Sequence, residues 1–179
     1  REIVEAEGRR AITIAGDLGD KDFCDRAAKK VVAKLGRIDI LVNNAGIVQR
    51  GNLFNVTVAD WDLVMDVNLK SAFFLSQAVA AHMIEGAIAG RIVNVASILS
   101  FQGGVRAPSY TASKHGVVGL TKAAALELAE SKIRVNAVAP GPVDTGLLHR
   151  MIEGKIPVSA IAAQVPMKRV SAPEETARA

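Results

Sequence analysis

The sequence predicts an α/β fold, a mostly parallel sheet joined by crossover helices. Three observations carry this. Short β-branched runs at 11–15, 38–42, 91–95 and 134–138 alternate with longer stretches of helical character. The residues after each run are polar or turn-forming, as expected at the carboxyl rim of such a sheet, where ligands collect. Half of the 179 residues are apolar, enough to close one core of ordinary domain size. No repeat, low-complexity segment or Pro/Gly/Ser linker divides the chain, so residues 1–179 read as a single domain.

Taken in order, residues 1–7 read as the tail of a helix. The first run, 11–15, is followed by Asp17 and Leu18, and a helix spans Lys21–Leu35. After the run at 38–42 comes Asn43-Asn44-Ala45-Gly46. Thr57-Val58-Ala59-Asp60 is a helix start signal, a capping hydroxyl with an acid three residues on. The helix it opens would reach residue 85, long enough for an interruption to be expected. Ser97 follows the run at 91–95, a helix covers 109–130, and Pro140-Gly141-Pro142-Val143-Asp144-Thr145 follows the run at 134–138. The sequence stops at Pro173-Glu174-Glu175-Thr176, which looks like the opening turn of another helix. With no Met at its start, it reads as a piece of a longer protein.

Charge and motif content exclude several function classes. Against 22 Lys plus Arg stand 18 Asp plus Glu, and the basic doublets are short and interrupted, which argues against nucleic-acid binding. Cys24 is the single cysteine, and no Cys/His cluster has metal spacing, so a reducing cytoplasm and a metal-free site are expected. The most apolar stretch, near 73–90, carries Ser76, Gln77, His82 and Glu85, so no membrane span is expected. Gly-x-Ser-x-Gly, His-Glu-x-x-His and Walker-type loops are missing, which leaves hydrolase, zincin and P-loop readings without support. His82, His115 and His149 are scattered, and surface or interface roles are expected for them.

One constellation carries chemistry. Tyr110 and Lys114 lie four apart at the start of a helix, so both project from one face. A phenol titrates near 10, and a neighbouring ammonium favours its anion, which suits such a tyrosine to proton transfer. Ser97, at a strand end, can hydrogen-bond the same substrate oxygen. Asn68 falls on the stripe Trp61, Val64, Met65, Asn68, Leu69, Ala72, which places an amide on a face otherwise built for burial.

Together these residues resemble the short-chain dehydrogenase/reductase family over nearly the whole chain. The resemblance implies a doubly wound, Rossmann-like sheet with helices on both faces, and an oxidoreductase that interconverts a secondary alcohol and a ketone by hydride transfer. It implies a catalytic tetrad of Asn68, Ser97, Tyr110 and Lys114. In it Tyr110 is the general acid/base, Ser97 orients the reacting oxygen, Lys114 lowers the Tyr110 pKa and holds the nicotinamide ribose, and Asn68 holds a water of the proton relay. Asp17 and Leu18 would contact the adenine. Asn44, Ala45 and Gly46 would lie along the adenosine ribose, with Asn43 linking strands. Pro140, Gly141, Val143 and Thr145, with Asn136 nearby, resemble the segment that closes over the nicotinamide. The implied cofactor is NAD or NADP, with NAD favoured.

The family's Thr-Gly-x-x-x-Gly-x-Gly turn is not in this sequence. In the family's strand order 3-2-1-4-5-6-7, the four runs correspond to strands 3 to 6. Strands 1, 2 and 7 are thus expected elsewhere in the intact protein, and this chain is not expected to fold stably alone. The 98–109 loop, with its Ser-Phe-Gln-Gly-Gly core, looks like the gluconate 5-dehydrogenase and deoxygluconate dehydrogenase branch. There Gln102 can meet a polyol and Arg106 a carboxylate, beside Ser97 and Tyr110. The alternatives are a 3-oxoacyl-thioester (acyl carrier protein) reductase and a non-catalytic binding module. A homo-oligomer is also implied, a tetramer or dimer, pairing the helices at 58–85 and 109–130.

Overall fold

The computed structural model describes residues 1–152 and 154–179. A short helix α1 (Glu2–Ala6) opens the chain, and α2 (Lys21–Leu35) follows. Asp20 caps α2 by accepting the Asp22 N–H at 2.9 Å. At its other end Gly36, at φ +97°, ends the helix in a conformation that a side chain would strain. Next come β1 (Ile40–Asn43), α3 (Val58–Met65), a π-helical segment (Asp66–Lys70) and α4 (Ser71–Glu85). The chain continues through β2 (Arg91–Val95), a 3₁₀ turn (Ile98–Ser100), α5 (Pro108–Glu127) and β3 (Arg134–Val138). Three shorter helices complete it, α6 (Gly146–Ile152), α7 (Val158–Gln164) and α8 (Pro173–Ala177).

The strands form one parallel sheet in the order β1-β2-β3, with Asn43 beside Asn94 and Asn94 beside Ala137. Residues 11–15, expected as a strand, form none among the described residues. A strand exists through its ladder, and this run lies before β1 with no neighbouring strand to bond. The second run also shifts, pairing at Ile40–Asn43 instead of 38–42.

The core sits where α2, α4 and α5 meet the sheet, around Ala28, Val79, Ala80, Met83, Ile92 and Val135. Polar residues cross it in a fixed chain. Asn43 Nδ2 donates to Ser76 Oγ (3.0 Å) and Asn94 Oδ1 (2.8 Å), while Asn94 Nδ2 donates to Thr121 Oγ1 (2.9 Å), tying α4, two strands and α5 together. This supports a strand-linking role for Asn43. Alternate positions of β1 face away from this core, and Ile40 and Val42 are more than half exposed.

The expected interruption of the long helix takes a specific form. Residues 58–85 run without a break, but at Asp66–Lys70 the turn widens to a π-helix and the Ser71 N–H reaches back to Asp66 O. Thr57 starts the helix as expected, with Oγ1 accepting the Asp60 N–H at 3.1 Å.

Candidate active site

Each catalytic candidate is held by a different local device. Ser97 ends β2 as the N-cap of the 3₁₀ turn, where its Oγ accepts the Leu99 N–H (3.1 Å) and Ser100 Oγ accepts the Ser97 N–H (3.2 Å). With that lone pair engaged, the Ser97 hydroxyl proton is the part left to offer. Pro108, in the first turn of α5, fixes the helix start just ahead of Tyr110. Tyr110, Ser113, Lys114, Val117 and Thr121 form the buried stripe of that helix.

Tyr110 packs with Val48, Val64 and Ala107, and Ile47, Leu99, Leu147 and Met151 border this cluster. The phenol is 5% exposed. Burial pushes its pKa up, while the Ser97 hydroxyl, a donor to the phenolate, pulls it down. Lys114 is also buried. Its Nζ lies 5.8 Å from the Tyr110 ring centre and donates to the Val95 carbonyl at 2.6 Å. Loss of water brings this ammonium down to about 8. The ammonium is anchored on a carbonyl, and desolvation is the largest influence on both groups.

Asn68 sits in the π-helical segment. Its Oδ1 accepts the Ile47 N–H (2.8 Å), and its Nδ2 donates to Ile47 O (2.9 Å) and to Ser113 Oγ (3.0 Å). The wide turn thus aims the amide at the loop after β1 and at α5 together. Ser113 in turn donates to Tyr110 O at 2.8 Å, which links Asn68 to the tyrosine's own turn. Its amide is thus spent on protein partners. The buried-amide reading holds, and the partners are Ile47 and Ser113.

Gly46 lies in the same pocket. A Cβ there would stand 3.5 Å from Lys114 Nζ and 3.7 Å from Asn68 Oδ1, so glycine keeps open the ground beside the ammonium. Lys114 retains two donors beyond its bond to Val95, and Gly141 has open space where a Cβ would be. This donor set fits the ribose and nicotinamide half of a dinucleotide. Asn44 is exposed and Ala45 half-buried.

Asp17, exposed, accepts the Gly19 N–H at 2.8 Å, and Leu18 O accepts from the buried Cys24 thiol. Their turn packs against Asp66, at the start of the π-helical segment. Pro140 O accepts the Ile98 N–H at 3.0 Å, which ties the loop after β3 to the Ser97 turn. Thr145 and Val143 are half-buried, and Val143 bridges to Ser171. Gln102 and Arg106 are exposed. The residues of their loop that pack with Tyr110 are Leu99 and Ala107. Arg106 has φ +59°, and its carbonyl accepts the Gly51 N–H.

Sequence reasoning missed Ser100, Ser113, Leu147 and Met151. Leu147 and Met151 carry a readable signal, apolar residues four apart just past the Pro140–Thr145 segment. Ser100 and Ser113 carry none, since short hydroxyl residues at turns and in helices are common. Among the described residues no group of His, Cys, Asp and Glu is placed to hold a metal, and no helix is long and apolar enough to cross a membrane.

Comparison with known proteins gives the family of the chain. The model of the short chain dehydrogenase family matches residues 1–155. The 2-dehydro-3-deoxy-D-gluconate 5-dehydrogenase of Escherichia coli K12 is 44% identical over 174 residues, covering 97% of this chain and 69% of the relative. A 3-oxoacyl-[acyl-carrier-protein] reductase of Thermotoga maritima is 44% identical over 159 residues, covering 89% and 63%. Among solved structures, a protein from Beutenbergia cavernae assigned as an NAD(P) dependent gluconate 5-dehydrogenase, with NADP bound at low occupancy, superposes with a TM-score of 0.88. It is 39% identical, with 97% of this chain and 70% of that one covered. These relatives are dehydrogenases and reductases by name, and the chain belongs to the short-chain dehydrogenase family of oxidoreductases.

Proposed function

We propose that this chain carries the catalytic half of an NAD(P)-dependent dehydrogenase acting on the secondary alcohol of a small sugar acid. The observation that supports the chemistry best is the convergence of Ser97 and Tyr110, with Lys114 and Asn68 behind them. Tyr110 exchanges a proton with the substrate oxygen, and the Ser97 hydroxyl donates to the same oxygen. Lys114 holds the ribose with the donors not bound to Val95. Asn68 fixes the loop after β1 against α5, so that Gly46 stays beside Lys114. When bound, NAD or NADP supplies the hydride acceptor or donor. Thr145 and Val143 would hold its carboxamide, Ala45 and Gly46 its ribose, and Asp17 and Leu18 its adenine. The neighbour with bound NADP favours neither form for this chain, because no glycine-rich phosphate turn is among its residues.

The sugar-acid reading is supported by the E. coli relative, and an acyl-thioester substrate by the T. maritima relative. The apolar border of Tyr110, Leu99, Leu147 and Met151, would suit the second equally. Gln102 and Arg106 supply the polar groups that favour the first, from exposed positions. The full-length protein is assayed against sugar acids and an acetoacetyl thioester with each cofactor. A clear preference for the thioester overturns the sugar-acid reading. Tyr110→Phe is expected to abolish turnover with cofactor binding retained, and turnover within tenfold of the parent overturns the role of Tyr110.

The enzyme is further proposed to be a homo-oligomer, a tetramer or dimer. An apolar groove lined by Met65, Leu69, Phe73, Phe74, Gly116 and Leu120 runs between the long helix and α5, on the elements expected to pair.

A further inference from the structure

Residues 168–175 lie beyond the span of the family match, and the structure gives them an unusual density of bonds to one loop. Lys168 turns the chain after α7 in the left-handed region, at φ +56°, while its Nζ donates to Ala163 O at 2.9 Å. Arg169 then forks onto Glu175, with Nη1 to Oε2 at 2.7 Å and Nη2 to Oε1 at 2.6 Å. The same Oε2 accepts the Ala172 N–H at 2.8 Å, and the Glu175 N–H returns to Ala172 O at 3.1 Å. Residues 169–175 are thereby closed into a braced loop.

This brace presents Ser171 to the segment after β3. The Ser171 N–H and Oγ both donate to Pro142 O, at 3.0 and 3.2 Å, and Ser171 O accepts the Asp144 N–H at 2.9 Å. One residue so fixes the backbone on either side of Val143, its bridge partner. The segment is poor in donors of its own, because Pro140 and Pro142 have no N–H. Its far end passes to Thr145, whose carbonyl accepts the His149 N–H that opens α6.

We propose that Ser171, held by the Arg169–Glu175 brace, is a positioning residue that sets Val143 and Thr145 and thereby the affinity for the nicotinamide cofactor. The proposal rests on the cofactor role given above to Val143 and Thr145. The brace stays charged at any pH suited to turnover, since the Arg169 fork, helped by the Ala172 N–H, holds the Glu175 carboxyl at about 2.

The test uses the full-length protein with Glu175→Gln, Arg169→Met, the double variant and Arg169→Lys. Expected is a rise of about five- to tenfold in Kd and KM for the cofactor in the first two, with kcat at saturating cofactor and Tm nearly unchanged. The double variant should be no worse than either single one, and Arg169→Lys should recover much of the affinity. Without cofactor, hydrogen exchange at the Asp144 amide should quicken about tenfold in Glu175→Gln. Unchanged Kd and unchanged Asp144 exchange overturn the proposal, as does a fall in kcat with KM unmoved or a KM rise that only follows a fall in Tm. Failure of the parent protein to bind either NAD or NADP overturns the cofactor reading itself, and is seen before any variant is made.

Discussion

Lys114 is buried as a cation, and this makes its effect on stability separable from its proposed catalytic role. Its pKa falls from 10.5 to about 8 on folding because water is stripped from the ammonium. A lysine whose folded pKa is lowered binds fewer protons in the folded than in the unfolded state between those two values. Stability therefore rises with pH across that window. Below about pH 8 the chain bears the full cost of the buried charge, and above about 10.5 it bears none. The drop corresponds to about 3 kcal/mol by the 1.36 kcal/mol carried by each pKa unit. Lys114→Met keeps the hydrocarbon stem and deletes the titration. The bond to Val95 O is lost as well, at roughly 1 to 3 kcal/mol, but that loss hardly varies with pH. The measurable quantity is thus a slope. Urea unfolding of parent and variant, run side by side from neutral to strongly alkaline pH, should show the parent gaining about 3 kcal/mol on the variant across the window. All other titrations cancel in the difference. A stability difference that stays flat from neutral pH upward would refute the burial argument, and a difference that moves in the variant's favour would reverse its sign. Catalysis should be lost in the variant at every pH.

Three further outcomes follow from the same geometry. Ser97→Ala removes a hydroxyl whose proton is left to offer, and should lower kcat by about 10²- to 10³-fold, which steady-state kinetics reads directly. It also deletes the acceptor of the Leu99 N–H, so a small drop in Tm should accompany it. Asn68→Ala strips three hydrogen bonds, two of them to the Ile47 backbone, and should cost roughly 2 to 4 kcal/mol in denaturant unfolding. Stability within 0.5 kcal/mol of the parent refutes the clamp. Light scattering of the full-length protein at micromolar concentration should give an oligomer that Phe73→Lys weakens, and a monomeric parent rejects the pairing face.

The sequence reading was most accurate where local chemistry acts alone. The helix Lys21–Leu35 is bounded by Asp20 and Gly36, a capping carboxylate and a residue tolerant of positive φ, and both signals are written in adjacent residues. Thr57 likewise starts its helix from its own hydroxyl. The runs at 91–95 and 134–138 became strands because each found a parallel neighbour. Residues 11–15 have similar composition and no neighbour, so β-propensity alone did not suffice. Propensity describes what a segment tolerates, while a strand is a relation between two segments.

The site shows the same division on a smaller scale. Tyr110 and Lys114 were legible because a helix fixes the geometry of residues four apart. That Asn68 would stand in a π-turn was not legible, since an extra residue in one turn leaves the apolar stripe almost unaltered. Yet the wide turn shapes the candidate site, because it directs one amide to Ile47 and Ser113 at once. The charge state of the pair was the least legible of all. Adjacency in sequence suggested that the ammonium would draw the phenol's pKa down. Burial acts on both groups, raising Tyr110 from 10.0 and lowering Lys114 from 10.5 to about 8, so it drives the two values apart and the ammonium gives up its proton before the phenol does. The Ser97 hydroxyl works against that burial by favouring the Tyr110 anion, so proton transfer at the phenol, as proposed, leans on this bond.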